Sequence, residues 1–92
     1  MSYHLMTPRF PLGRIVATPA VMGLALNLAY YIRRHHCGDW GDIERCDGRE
    51  NEEALANGGR ILSAFRLPDG EWIYILTEAD RSSTCIMLPA EY

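Results

Sequence analysis

The sequence predicts a single α+β domain in which an antiparallel sheet of three to four strands is packed by one long N-terminal helix and one short helix. Three observations lead to this prediction: an apolar stretch from Ala20 to Ile32, a strong turn signal at Pro68-Asp69-Gly70, and alternating residues after that turn. The chain has 92 residues, the length of one domain. We expect residues 1–11 to be a flexible lead-in and residues 12–92 to form the domain.

The N-terminal part predicts one strand followed by one long helix. Ile and Val favour a strand from Leu12 to Ala17. Thr18 is a good helix cap, and Pro19 suits the first helical position, so the helix is predicted from Pro19 to His35. Gly23 and Asn27 interrupt its apolar run. The main buried stripe is predicted at helical spacing, on Val21, Leu24, Leu28 and Ile32.

The C-terminal half predicts a short helix and three strands. Asp47 and Glu50 suggest a capping box, with the helix from Gly48 to Ala56. The three strands are predicted at Arg60–Leu67, Glu71–Thr77 and Ser83–Leu88. The second of them alternates Trp72, Tyr74 and Leu76 with Ile73 and Ile75, so both its faces are apolar, which is typical of a central strand.

Composition makes several functions less plausible. The net charge is −3, so direct nucleic-acid binding is not expected. The absence of Lys removes Schiff-base and phosphate-loop lysine chemistry. Three Cys and no signal peptide argue against a secreted disulfide scaffold, and no stretch is long enough to span a membrane. We therefore expect a cytoplasmic protein without cofactors, and a homodimer would compensate for its thin core.

The charges are unevenly distributed, with seven acidic residues between positions 39 and 53. They are Asp39, Asp42, Glu44, Asp47, Glu50, Glu52 and Glu53. This acidic stretch is either a solvated loop and helix face or a surface that meets a basic protein partner. Trp40 stands between two glycines and two aspartates, and it either plugs the end of the core or anchors a partner.

Three further groups of residues are candidates for chemistry. His35, His36 and Cys37 with Cys46 do not match the spacing of a common zinc site, so no metal is predicted. His35 with Asp39, Asp42 and Arg81 could form a small catalytic or ligand-binding site, but no activated nucleophile accompanies them, so no catalytic residue is assigned. Glu78, Asp80 and Arg81 join two strands, and they either fix that connection or receive a ligand.

The motifs together resemble a bacterial family of short proteins found on plasmids, integrative elements and phages, whose members often carry the label "type I restriction endonuclease subunit M". The resemblance covers Leu12 to Tyr92. It rests on Leu12–Pro19, Arg34-His35, Gly38–Asp42, Glu50-Asn51, Arg60–Ala64, Thr77–Ser82 and Leu88–Tyr92, where Ala90 departs from the family's Leu-Pro-Glu-Glu-Tyr ending. The chain is too short for a methyltransferase domain and has no Pro-Pro pair, so methylation is not expected.

The resemblance implies a place on mobile DNA near host-defence genes. The first hypothesis is therefore a non-catalytic protein that binds and inhibits a host defence complex, of the anti-CRISPR or anti-restriction type. Its partner would be a protein, such as a component of a defence complex that binds nucleic acid. The alternatives are a small enzyme or ligand-binding domain centred on His35, Asp39, Asp42 and Arg81, and an accessory factor in plasmid maintenance.

Overall fold

The computed structural model describes residues 7–92, apart from the side chain of Cys46. In this part of the chain, four strands form one sheet: β1 (Arg14–Ala17), β2 (Ile61–Arg66), β3 (Trp72–Thr77) and β4 (Ser83–Met87). The helices are α1 (Pro19–Met22), α2 (Leu28–His36) and α3 (Arg45–Asn57), and a 3-10 turn follows at Pro89–Glu91. The predicted α+β class is confirmed.

The sheet is mixed, and the prediction of a purely antiparallel sheet was wrong. Its strand order is β1-β4-β3-β2, with β2–β3 and β3–β4 antiparallel. β1 runs parallel to β4, with Arg14 beside Ser83 and Ala17 beside Ile86. Tight hairpins force antiparallel pairing only between consecutive strands, whereas β1 is separated from β4 by most of the chain and can join it in either direction.

The predicted long helix is two shorter helices. Thr18 caps α1, and Pro19 is its first residue, as predicted. Gly23 ends α1 and Asn27 precedes α2, so the two residues that interrupt the apolar run mark the break. Ala25 between them has a left-handed φ of 54°, which no α-helix accommodates.

The break divides the predicted buried stripe. Val21 is fully buried, and Leu28 and Ile32 pack against the same core cluster. Leu24 is 38% exposed, which corrects its assignment to the core. Because it lies in the turn between the two helices, it follows neither helical face.

α3 begins earlier than predicted, and the predicted capping box at Asp47 is absent. Glu44 is the cap residue, and Asp47 lies in the first turn, where a negative charge is favourable. The turn at Pro68-Asp69-Gly70 is confirmed: Gly70 has a φ of 91°, and the Leu67 amide donates to the Glu71 carbonyl at 2.7 Å.

The two faces of the sheet differ in cover. One face carries the main core, where α1 and α2 lie over Phe65, Ile73, Ile75 and Ile86. A second cluster of Phe10, Trp40, Ala54 and Ile61 packs beside it. On the opposite face, Trp72 and Tyr74 are only half-buried and line an open groove. Within residues 7–92, no helix has the length and apolar character needed to cross a membrane.

Candidate functional site

The segment Gly38–Asp42 covers the outer edge of β2. The Ala64 amide donates to the Trp40 carbonyl at 3.1 Å, and the Asp42 amide donates to the Ala64 carbonyl at 2.7 Å. Gly41 has a φ of 80°, and a Cβ at this position would collide with the Ala64 carbonyl. The distinctive glycines therefore let a short stretch of backbone pair with an edge strand.

Trp40 is a core residue rather than an exposed anchor. It is 9% exposed, and its Nε1 donates to Glu52 at 3.2 Å. Glu52 also accepts two hydrogen bonds from Arg9, at 2.9 and 3.0 Å, and these lower the pKa of its carboxyl. Arg9 and the buried Phe10 belong to residues 1–11, the predicted flexible lead-in, and both contact the domain; residues 1–6 lie outside the described part.

The two aspartates of this segment are both engaged locally. Asp39 accepts from Arg34 Nε at 2.7 Å and from the Gly41 amide at 3.1 Å. Burial is the largest single effect and raises the pKa of Asp39, but the hydrogen bonds from Arg34 and the Gly41 amide, together with the charge of Arg34, outweigh it and lower the pKa overall. Asp42 accepts from the Arg66 amide at 2.9 Å. Both carboxylates therefore stabilise the edge of the sheet.

His35 is fully buried in a chain of hydrogen bonds with a single direction. The Thr84 hydroxyl donates to the Leu12 carbonyl at 2.7 Å, so its oxygen accepts from Thr77 at 2.7 Å. Thr77 then accepts from His35 Nε2 at 2.9 Å, so Nε2 carries a proton. His35 Nδ1 lies 2.6 Å from the Ser63 hydroxyl, from which a neutral imidazole accepts. A neutral imidazole in this chain therefore carries its proton on Nε2.

The surroundings of His35 keep it neutral. Its ring contacts Phe10 edge-on, with the centroids 5.2 Å apart, and lies 6.0 Å from the Trp40 ring. Burial, with a smaller contribution from the neighbouring His36, lowers the pKa of His35 to about 3. His35 is therefore a satisfied core residue of the sheet.

Arg81 holds the connection between β3 and β4 against the end of α3. Its guanidinium donates to the carbonyls of Gly59 at 2.6 Å, Glu78 at 3.0 Å and Ala54 at 3.0 Å. A further bond of 3.2 Å goes to the Ala79 carbonyl. The last carbonyls of a helix need partners, and Arg81 supplies them with a positive charge. Arg81 is thus occupied by backbone acceptors.

The other two residues of this connection have similar local contacts. Asp80 accepts from the Ser82 amide at 2.9 Å, and hydrogen bonds from Ser82 lower the pKa of the Asp80 carboxyl. Glu78 lies 3.5 Å from Arg60 Nε. Both contacts fix the connection, which was the structural interpretation of this segment.

His35, Asp39, Asp42 and Arg81 do not converge on one pocket. Each has its own set of partners, and of the four only Asp42 lines the groove on the open face of the sheet. Over the same residues, no group of three or more His, Cys, Asp or Glu side chains is arranged to hold a metal ion.

The candidate site is instead a groove of about 450 Å³ on the open face of the sheet, which we call the open-face groove. Aromatic and aliphatic side chains of the strands form its floor, and α3 with the segment before it forms an acidic rim. The floor includes Leu62, Ala64, Trp72, Tyr74, Leu76 and Tyr92, and the rim includes Asp42, Glu44, Asp47, Glu50 and Asn51.

Asn51 positions α3 beside the sheet. It is 4% exposed, its Nδ2 donates to the Leu62 carbonyl at 2.8 Å, and its Oδ1 accepts from the Leu62 amide at 3.1 Å. The side-chain amide of Asn51 thus pairs with the outer edge of β2 as the backbone of a neighbouring strand would. α3 then carries Asp47 and Glu50 to the same side as the open face.

The acidic stretch therefore divides into two sets of three residues, with Glu53 in neither. Asp39, Asp42 and Glu52 bond to the protein itself, as described above. Within the described residues, Glu44, Asp47 and Glu50 take part in no salt bridge or side-chain hydrogen bond, and all three line the open-face groove. Glu53 is exposed on α3 outside the groove.

The aromatic floor was missed by sequence reasoning. The alternation of Trp72, Tyr74 and Leu76 was visible, but both faces of β3 are apolar, so the pattern did not indicate which face stays open. Tyr92 gave no periodic signal, although its ring lies 5.7 Å from that of Tyr74.

Comparison with protein-family models, with curated proteins and with solved structures found no match for this chain.

Proposed function

We propose that this chain is a non-catalytic protein of a mobile genetic element that binds a host defence complex and inhibits it, as an anti-CRISPR or anti-restriction protein does. The observation that carries the proposal is the open-face groove, with the carboxylates of Glu44, Asp47 and Glu50 on its rim. The mobile-element setting is supported by the resemblance described above for Leu12 to Tyr92.

The charge of the rim suits a partner that acts on nucleic acid. Proteins that bind DNA or RNA present basic surfaces to the phosphate backbone. A surface of carboxylates is complementary to such a site and can occupy it in place of the nucleic acid. The carboxylates of Glu44, Asp47 and Glu50 are available for this role because none of them forms an ion pair within residues 7–92, whereas Glu52 and Asp39 are held by Arg9 and Arg34.

A non-catalytic role is supported by how the candidate chemical groups are used. His35 and Arg81 are committed to internal hydrogen bonds, and Asp39 and Asp42 stabilise the edge of β2.

A homodimer is the other proposed assembly. Its candidate surface is the edge strand β1, where Ile15 and Val16 are 47% and 39% exposed. Sedimentation of the wild type and of Val16→Glu tests it, and a wild-type monomer rejects it.

The proposed function is tested by infection assays. Hosts with and without a CRISPR or restriction system are challenged with a phage that the system targets, in the presence and absence of the protein. We expect the protein to raise plaque counts only in the defended host and to copurify with a component of the defence complex. Unchanged plaque counts across the defence systems tested, together with no copurifying component, would reject the proposal.

A further inference from the structure

We propose that the open-face groove binds an extended, arginine-containing segment of the partner protein, with a guanidinium seated between the aromatic floor and the acidic rim. This inference rests on the proposed function, because it names the chemistry by which the partner is recognised. It concerns the groove alone and needs no other surface of the chain.

The floor already accommodates a guanidinium of this protein. Arg60 lies in the groove with its guanidinium carbon 5.8 Å from the centroid of the Tyr92 ring, while its Nε is 3.5 Å from Glu78. This is an aromatic–cation contact with a carboxylate alongside. Trp72, the strongest aromatic partner for a cation, lines the same groove and has no such cation among the described residues.

The rim supplies negative charge that Arg60 does not neutralise. Arg60 is associated with Glu78, which leaves Glu44, Asp47 and Glu50 on the rim without ion-pair partners in residues 7–92. Arginine suits this surface better than lysine, because its planar group can stack on a ring while its edge donates to a carboxylate. A phosphate backbone would be repelled by the same carboxylates.

The shape of the groove favours side chains over added backbone pairing. The outer edge of β2 is already covered by Trp40, Asp42 and Asn51, so a partner strand cannot extend the sheet there. A volume of about 450 Å³ lies within the range of small-ligand pockets and takes one or two side chains rather than a helix. Recognition therefore depends on the side chains that enter the groove.

The test uses the full chain and three blocked peptides with alternating glycine: one with arginine, one with lysine, and one with citrulline, the neutral analogue of arginine. Binding is followed by NMR at low salt, using the indole N–H of Trp72 and the backbone amides of Leu62 and Ala64. We expect shifts confined to the groove, and binding of the citrulline peptide at least about tenfold weaker than that of the arginine peptide.

Paired variants test the rim. The double variant Asp47→Asn/Glu50→Gln is expected to weaken binding of the arginine peptide about fivefold. The control Glu53→Gln/Glu71→Gln removes the same charge from exposed side chains outside the groove, and it should change affinity less than about twofold. The citrulline comparison uses only the wild type, so it decides the question even if a variant fails to fold.

Four results would overturn the inference: no binding of the arginine peptide, equal binding of the citrulline peptide, an equal loss in the control variant, or shifts outside the groove. Filling of the groove by a second copy of the chain, detected as a dimer lost in Asp47→Asn/Glu50→Gln, would also overturn it. Failure of the proposed function can be distinguished from failure of this inference. If only the proposed function fails, the arginine peptide binds the groove but plaque counts do not change. Inhibition of defence that survives the rim variant rejects only the inference.

Discussion

Acidification should destabilise the fold through His35. This group has a pKa of about 3 in the folded chain and an ordinary value of 6.5. The folded state keeps the imidazole neutral, whereas the unfolded chain binds a proton below about pH 6.5, so stability is lost as the pH falls through that value towards 3. From pH 7 to about pH 5, the linkage relation gives a loss of about 2 kcal/mol in the free energy of unfolding.

This pH interval separates the histidine from the carboxylates. The pKa values of Asp39 and Glu52 are lowered from 3.8 and 4.5, so the stability that they contribute is present above those values and lost mainly below about pH 4.5. Urea unfolding at pH 7 and about pH 5 measures the effect. We expect the wild type and the control His36→Gln to lose about 2 kcal/mol, and His35→Gln to lose at least about 1 kcal/mol less than either.

A second measurement examines the same imidazole without a substitution. Nitrogen-15 NMR should find His35 protonated on Nε2, as the hydrogen bond to Thr77 requires, and neutral at about pH 5, as its pKa of about 3 requires. An equal loss of stability in His35→Gln and the wild type, or an imidazole that is charged at about pH 5, would refute the reasoning.

Three further substitutions test the contacts that hold the site. Asn51→Ala should cost about 2 kcal/mol, because it leaves two backbone groups of Leu62 without partners, whereas the exposed Asn57→Ala should cost less than about 1 kcal/mol in the same urea titration. Arg81→Met should cost about 2–4 kcal/mol and speed amide hydrogen exchange at the end of α3; unchanged exchange contradicts this. Gly41→Ala should cost more than about 1 kcal/mol by thermal unfolding, and a wild-type melting temperature contradicts this.

The features predicted correctly from sequence depend on local chemistry. Thr18 and Pro19 begin a helix through their own backbone and side-chain properties. Pro68-Asp69-Gly70 forms a turn for the same kind of reason, and the alternation of β3 was enough to identify a central strand.

The features that were missed depend on long-range packing. Gly23 and Asn27 interrupt the apolar run in the sequence. Whether the helix continues through them depends on how Val21 and Leu28 pack against the sheet. The parallel pairing of β1 is likewise set by where the helices carry the chain, since no residue of Arg14–Ala17 encodes its partner strand.

The residues of the candidate groove were visible in the sequence only in part. The acidic stretch contains the rim of the open-face groove, but sequence alone could not divide its members. Glu52 is bound by Arg9, which is too distant in sequence for the pair to be predicted. Asp39 is bound by Arg34, and their separation matches no helical spacing that would predict an ion pair. Trp40 was conspicuous in the sequence because glycines and aspartates flank it. Those flanking residues are there because the segment Gly38–Asp42 pairs with the edge of β2.

Infection efficiency with rim variants tests most directly the claim that the open-face groove is the functional surface. The triple variant Glu44→Gln/Asp47→Asn/Glu50→Gln is compared with the wild type and with Glu53→Gln/Glu71→Gln, each at equal expression and with its fold checked by circular dichroism. We expect the wild type and the control to protect the phage equally in a defended host, and the triple variant to lose that protection. A triple variant that protects as well as the wild type would contradict the claim.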